Sequence, residues 1–267
     1  MSILVALILG IVEGLTEYLP VSSTGHLILA DHFLGGGNSE AGKSFEIVIQ
    51  LGAILAVLVY YRGLLWQRAR ELPSGKPEST RLLLALIAGF VPTAALGLLA
   101  RKAIKAHLFG ARPVAYALAI GGVVMIVVEL VRGRKPDDGE SHIEDVTPMQ
   151  GFLVGVGQCA SLIPGTSRSM ATIVTGQLIG LTTATAAEFS FLLALPTLGA
   201  ATLYEAYKSR HDLATLGFAP MAVGMVTSFL VAWAVIAVFI SYLKRRGLMP
   251  FGIYRIILGA AVLWLVH

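Results

Sequence analysis

The chain has 267 residues, of which 56% are hydrophobic and only 13% charged, and its mean hydropathy is +0.78. Soluble domains carry about a quarter charged residues, so this composition excludes an ordinary water-soluble enzyme and predicts an integral membrane protein. The net charge of +4 falls mainly in predicted loops, which indicates membrane lipids and no nucleic acid as partners.

The first segment, residues 3–30, is apolar but interrupted by glutamates, a proline, serines and a histidine. A second segment, residues 149–180, is interrupted in the same way. Unbroken transmembrane helices do not carry so many polar groups, and irregular backbone is tolerated in a bilayer only inside protein or beside a water-filled cavity. Both segments therefore predict re-entrant hairpins that line a cavity.

Six other stretches are continuous and apolar, and each ends in charged or turn-forming residues. About 20 residues cross the hydrocarbon core as a helix, so each stretch predicts one transmembrane span. The predicted spans are residues 45–61, 82–100, 114–131, 187–206, 219–243 and 251–266. They leave no length for a soluble domain, and we expect one integral membrane domain over residues 1–267.

The two interrupted segments resemble each other when the chain is compared with itself. A shift of 144 residues places Pro20 on Pro164, Ser23 on Ser167 and Phe45 on Phe189, and a later shift of 137 places Gly122 on Gly259. Chance similarity between apolar segments is the alternative explanation.

The repeat predicts an all-α polytopic membrane protein with two halves, residues 1–135 and 149–267. Each half would hold one re-entrant helix hairpin and three transmembrane helices, six spans in total. Because three is odd, the second half enters the membrane from the opposite face, so the repeats are inverted and the hairpins meet near the midplane. Loops 62–81, 132–148 and 244–250 hold 11 Lys or Arg against 7 on the other side, which predicts that these loops are cytoplasmic.

The first hairpin carries Glu13 and Glu17, which lie four apart and therefore share one helix face. Carboxylates in an apolar segment indicate a functional pair that binds a cation or a proton; solvated acids at a helix end are the alternative. Pro20 should end the first half-helix. Ser22, Ser23 and Thr24 then follow as caps of the second.

His26 lies one turn after Ser23, where its ring would exchange a proton with that hydroxyl or with a phosphate oxygen, or serve only as a hydrogen-bonded structural residue. The second hairpin supplies Thr166, Ser167, Arg168 and Ser169. Arg168 has long apolar flanks, so its guanidinium must face a polar cavity or pair with an acid. A phosphate or pyrophosphate suits the planar guanidinium, and an ion pair with a glutamate of the first hairpin is the alternative.

These motifs resemble the signatures of the bacterial undecaprenyl-diphosphate phosphatases, also called bacitracin-resistance proteins. The resemblance rests on Glu13-Gly-Leu-Thr-Glu-Tyr-Leu-Pro-Val-Ser-Ser-Thr-Gly-His26 and Pro164-Gly-Thr-Ser-Arg-Ser169, and it extends along the chain to Tyr254-Arg255. One departure is Met170, where the family usually has glycine. The resemblance implies a hydrolase that converts undecaprenyl diphosphate to the monophosphate carrier used in cell-wall and peptidoglycan synthesis, and that lowers susceptibility to the antibiotic bacitracin.

The resemblance also implies roles for the residues above. Ser23 would attack the distal phosphorus or orient a water that does so, Glu17 or His26 would accept the proton, and Arg168 would neutralise the phosphoryl oxygens. The expected substrate-binding residues are Glu13, Ser22, Thr24, Thr166, Ser167 and Ser169. A divalent cation, calcium or magnesium, would bridge the diphosphate to the acids. The sequence carries no dedicated metal-binding motif, so it leaves metal dependence open.

The implied location is the bacterial plasma (inner) membrane, with a site that opens to the outer, periplasmic face. The expected partners are the polyprenyl diphosphate substrate and membrane lipids, and a homodimer is left open. Inverted repeats with broken helices are also the plan of secondary transporters. A transporter or flippase of a lipid-linked phosphate is therefore the competing hypothesis.

Overall fold

A computed structural model describes residues 1–34, 40–108, 110–133 and 142–265, and these residues form helices without a strand. The α-helices are α1 Ile3–Thr16, α2 Ser23–Leu34, α3 Glu40–Tyr60, α4 Arg62–Glu71, α5 Pro77–His107, α6 Ala111–Arg132, α7 Pro148–Gln158, α8 Arg168–Leu178, α9 Thr183–Lys208, α10 Arg210–Leu213, α11 Phe218–Leu243 and α12 Met249–Leu265. Arg134 and Lys135, and the side chains of Lys43, Arg101, Lys102 and Lys105, lie outside what the structure describes. The all-α prediction is confirmed for the described residues.

Four helices are long and apolar enough to cross a membrane: Pro77–Ala100, Ala111–Arg132, Thr183–Lys208 and Phe218–Leu243. A fifth candidate is the pair Ser44–Tyr60 and Arg62–Ser74, which bends by 64° at its break. Each of the six predicted spans coincides with a helix. The last, α12, has 17 described residues and is short for a crossing.

Both interrupted segments fold as pairs of short helices. In the first pair, α1 ends before Pro20 and α2 begins at Ser23; in the second, α7 ends at Gln158 and α8 begins at Arg168. Proline cannot donate a backbone hydrogen bond, which explains why neither segment continues as one helix. Almost every residue of α8 is buried, so this short helix lies in the centre of the protein.

Small residues bring the helices into close contact around the two hairpins. A Cβ added at Gly14 of α1 would lie 2.7 Å from the carbonyl of Ser228 on α11, and one at Gly155 of α7 would lie 2.3 Å from that of Gly89 on α5. Close approach of backbones at small residues is the usual way in which helices associate within lipid. These contacts hold α1 against α11 and α7 against α5, and so fix the position of each hairpin.

Candidate active site

Ser23 and Glu17 form a hydrogen-bonded pair between the two helices of the first hairpin. The Ser23 hydroxyl donates to Glu17 Oε2 at 2.8 Å. Glu17 directly follows α1 and is only 7% exposed, while Ser23 is the first residue of α2. The carboxylate is therefore placed to accept the serine proton, which is the geometry of an activated nucleophile.

Arg168 brings the second hairpin to the same pair. Its Nη2 lies 3.6 Å from Glu17 Oε1, and its Nη1 donates to the backbone and side-chain oxygens of Ser190 at 2.8 and 3.0 Å. The Arg168 Nε and Nη2 atoms are buried and make no hydrogen bond with a described residue. The arginine is thus ion-paired with Glu17 while its Nε and Nη2 make no hydrogen bond with a described residue, and its contact with a phosphate stays a prediction.

These three residues line one cavity of about 580 Å³. Ser22, Thr24 and Ser167 contribute further hydroxyl groups to its wall. Much of the remaining wall is apolar, including Phe90, Leu98, Leu162 and Leu198. A cavity of this size with a few convergent polar groups is typical of a small-molecule site, and its mixed wall suits a ligand with an anionic head and an apolar chain.

Ser22 and Ser167 directly precede α2 and α8, the second helices of the two hairpins, and cap them in the same way. They are the two non-glycine residues with positive φ among those described, at 70° and 71°. Each side chain accepts a hydrogen bond from the backbone N–H three residues later, that of Gly25 in one case and Met170 in the other. Such φ values are strained for serine, so the repetition marks these residues as equivalent caps.

This equivalence corrects the alignment made from the sequence. A constant shift of 144 residues placed Ser23 opposite Ser167, whereas the structure gives the backbone geometry of Ser167 to Ser22. Ser23 and Arg168 are the residues that directly follow these two similar caps. Comparison of the chain with itself does not detect a one-residue difference after the prolines, because the residue types there do not determine the backbone conformation.

His26 does not contact the Ser23–Glu17 pair. Its Nδ1 is 2.8 Å from the carbonyl oxygen of Ser22, and its Nε2 is 2.6 Å from the hydroxyl of Tyr254. Since a carbonyl only accepts, the neutral ring carries its proton on Nδ1 and accepts from Tyr254. His26 lines neither described cavity, so the structure offers Glu17 and not His26 as the base beside Ser23.

Thr166 and Ser169 also lie away from the cavities. Ser169 is fully buried, and its hydroxyl donates to the carbonyl of Tyr18 at 2.7 Å. Thr166 is buried and lines neither cavity. The expectation that both bind substrate directly is therefore not supported by their placement, because Ser169 ties one hairpin to the other instead.

Glu13 faces a second cavity, also of about 580 Å³, which shares Ser23 and Thr24 with the first. Glu13 does not line the first cavity, and Glu17 does not line the second. Among the described residues no three His, Cys, Asp or Glu side chains come together as a set of metal ligands. A divalent cation that bridges a diphosphate to these carboxylates stays a prediction.

Arg255 lies in the centre of the protein, and the sequence motifs gave it no role. It is fully buried on α12, and its Nη1 and Nη2 donate to the carbonyls of Pro20 and Gly165, at 3.1 and 3.0 Å. It thereby joins the turns of both hairpins. An arginine inside an apolar span is the sequence signal for such a role.

Met170 replaces the glycine that the resemblance predicts, and the structure accommodates it. Its side chain is 5% exposed and belongs to the main apolar core. A Cβ at Gly121 of α6 would lie 2.8 Å from Met170 Cε, so the absence of a side chain at Gly121 provides the space.

Comparison with known proteins identifies the family of this chain. Residues 6–261 match the family model described as bacitracin resistance protein BacA. A protein of Sorangium cellulosum (strain So ce56) named undecaprenyl-diphosphatase is 58% identical over 262 residues, which are 97% of this chain and 85% of the relative. Proteins with the same name are 46% identical in Albidiferax ferrireducens, over 97% of this chain and 93% of theirs, and 45% identical in Campylobacter hominis, over the full length of both. The chain therefore belongs to the bacitracin resistance protein BacA family.

Proposed function

We propose that this protein is an undecaprenyl-diphosphatase, which hydrolyses undecaprenyl diphosphate to undecaprenyl phosphate and inorganic phosphate and so recycles the carrier for cell-wall synthesis. The relatives that carry this name cover nearly the whole chain. The observation that carries the proposal is the Ser23–Glu17 hydrogen bond beside the Arg168 guanidinium, in a cavity with a largely apolar wall.

In the proposed reaction, the Ser23 oxygen attacks the distal phosphorus while its proton passes to Glu17 Oε2. The bond from phosphorus to the bridging oxygen breaks, and undecaprenyl phosphate leaves. Arg168 neutralises the phosphoryl oxygens, which is the main form of catalysis available to phosphoryl transfer. Water then cleaves the phosphoserine. In the alternative course, Glu17 activates water directly and Ser23 orients it.

The experiment is phosphate release by the purified full-length protein from undecaprenyl diphosphate. Ser23→Ala, Glu17→Gln and Arg168→Ala should each lower kcat at least a hundredfold, the usual scale for loss of one such group. Ser161→Ala is the matched control, because Ser161 lines the same cavity without bonding Glu17. Undiminished release in the three variants would refute the site. Lipid movement across vesicles without release would favour the transporter hypothesis.

We further propose that the fold is an inverted repeat with six crossings. Helix contacts support it. In the proposed repeat α1 corresponds to α7 and α5 corresponds to α11. The structure packs α1 on α11 and α7 on α5, so each hairpin contacts a helix of the other half. Between α6 and α12, a Cβ at Gly122 would approach the carbonyl of Gly252, and one at Gly259 that of Ala115. The shift of 137 residues relates these two contacts to each other, as expected for a local twofold axis.

The proposed location is the bacterial inner membrane, with loop 62–81 in the cytoplasm and the site open to the periplasm; the charge distribution supports this orientation. In a Cys159→Ala background, a cysteine at exposed Glu78 should resist labelling from outside, and one at exposed Thr215 should label. The reverse pattern would overturn the orientation. A divalent cation and a homodimer remain predictions, tested by phosphate release with chelator and by mass measurement in detergent.

A further inference from the structure

Gln158 lines the proposed site and has a buried amide oxygen without a described hydrogen-bond partner. It is the last residue of α7 and is fully buried. Its Nε2 donates to Thr93 Oγ1 at 2.9 Å, and the Thr93 hydroxyl in turn donates to the carbonyl of Gly155 at 3.1 Å. Because the Thr93 hydroxyl proton is used, its oxygen must accept from Gln158, which fixes the direction of the amide. Gln158 Oε1 is then left without a hydrogen-bond partner among the described residues.

An unpaired buried amide oxygen is not by itself a binding site. Gln177 on α8 has the same arrangement: it is 4% exposed, its Nε2 donates to Thr183 at 2.9 Å, and its Oε1 has no described partner. Both amide oxygens are buried, and the two glutamines differ in their position relative to the cavities. Gln158 lines the cavity that contains Glu17, Ser23 and Arg168, whereas Gln177 lines neither described cavity.

The chemistry of Gln158 Oε1 selects its partner. An amide oxygen only accepts hydrogen bonds, and ionised phosphate oxygens are acceptors too, so the two do not bind each other. Water has protons to donate. The guanidinium of Arg168, a residue of the same cavity wall whose Nε and Nη2 make no hydrogen bond with a described residue, suits the phosphate instead. The cavity therefore offers one group for the anion and another for a water molecule.

We infer that Gln158 binds and orients the water that completes hydrolysis, an assignment that rests on the proposed function. In that step the water oxygen bonds to phosphorus and the bond from phosphorus to Ser23 Oγ breaks. Glu17 returns the proton of the first step to the serine oxygen and takes one from the water, which then passes to solvent, and inorganic phosphate leaves. If water attacks the diphosphate directly, the bond to the bridging oxygen breaks instead, and Gln158 orients the same nucleophile.

The test compares Gln158→Met with Gln177→Met in the full-length protein. Methionine preserves the length of the side chain and removes the acceptor. Gln158→Met should lower kcat roughly ten- to a hundredfold, the scale for a misplaced reactant, with KM for undecaprenyl diphosphate changed less than about threefold. If Ser23 is the nucleophile, phosphorylated protein should accumulate from substrate labelled in the distal phosphate. Gln177→Met should leave kcat unchanged.

A conservative variant separates chemistry from folding. Gln158→Glu keeps an acceptor oxygen, so its kcat should exceed that of Gln158→Met, and both should melt within a few degrees of the wild type in detergent. A wild-type kcat in Gln158→Met, a change confined to KM, an equal loss in Gln177→Met, or no recovery in a folded Gln158→Glu would overturn the inference while the proposed function stands. A wild type that releases no phosphate would refute both.

Discussion

Replacement of Arg255 by methionine should separate the two hairpins. The carbonyls of Pro20 and Gly165 lie outside helices, and they accept from Arg255 and from no described backbone N–H. The other two acceptors, Ala117 and Leu118, lie inside α6 and keep their helical partners. An unsatisfied buried group costs about 1–3 kcal/mol, so the two buried carbonyls left unpaired predict a loss of about 2–6 kcal/mol in Arg255→Met.

The assay is thermal unfolding in detergent together with phosphate release. For a chain of this size, each kcal/mol corresponds to about 2–4 °C, so Arg255→Met should melt at least about 4 °C below the wild type. Activity should fall too, since the distance from Ser23 to Arg168 depends on both turns. Arg255→Lys retains the charge but reaches fewer carbonyls at once, and it should be intermediate.

A second variant tests the same contact without removing the arginine. A Cβ at Gly121 would lie 2.3 Å from Arg255 Nη2, so Gly121→Ala should displace the guanidinium and lower both stability and activity. Gly199→Ala is the control, because a Cβ there meets nothing within 4 Å. Wild-type melting and activity in Arg255→Met, or equal effects in the two glycine variants, would refute the reasoning.

Three further predictions follow from single contacts. Gly155→Ala should lower the melting temperature by several degrees because its Cβ would overlap the Gly89 carbonyl, which a 2.3 Å separation does not permit; it is compared with Gly199→Ala in the same detergent. Tyr254→Phe removes the hydroxyl that bonds His26 and should lower kcat less than Ser23→Ala does, whereas an equal loss would place His26 in the proton transfer. Hydrogen bonds from Ser79, Gln67 and Lys76 lower the pKa of Glu71 from 4.5 to about 2. The stability that Glu71 contributes should therefore be complete above pH 4.5 and disappear as the pH falls toward 2, and Glu71→Gln should lack this dependence in melting curves.

The broad architecture followed from residue type alone. Hydropathy located the six apolar helices to within a few residues at most ends, because a helix satisfies its own backbone groups and can therefore cross a bilayer. Polar interruptions located both hairpins for the same reason. The charges Glu17 and Arg168, which an apolar segment does not tolerate without a partner, identified residues that the structure brings within 3.6 Å of each other.

Tertiary structure decided which of the candidates meet. His26 is one turn from Ser23 in sequence, yet its ring turns to Tyr254, 228 residues away; no local spacing contains that information. Ser22, and not Ser23, has the backbone geometry of Ser167, because φ depends on how the turn is held and not on the identity of the residue. Gln158 and Arg255 acquire their roles only when separate helices enclose them. Sequence thus determined which polar groups must be buried, since burial without use is costly in lipid, while packing between distant helices determined which of them face a common cavity.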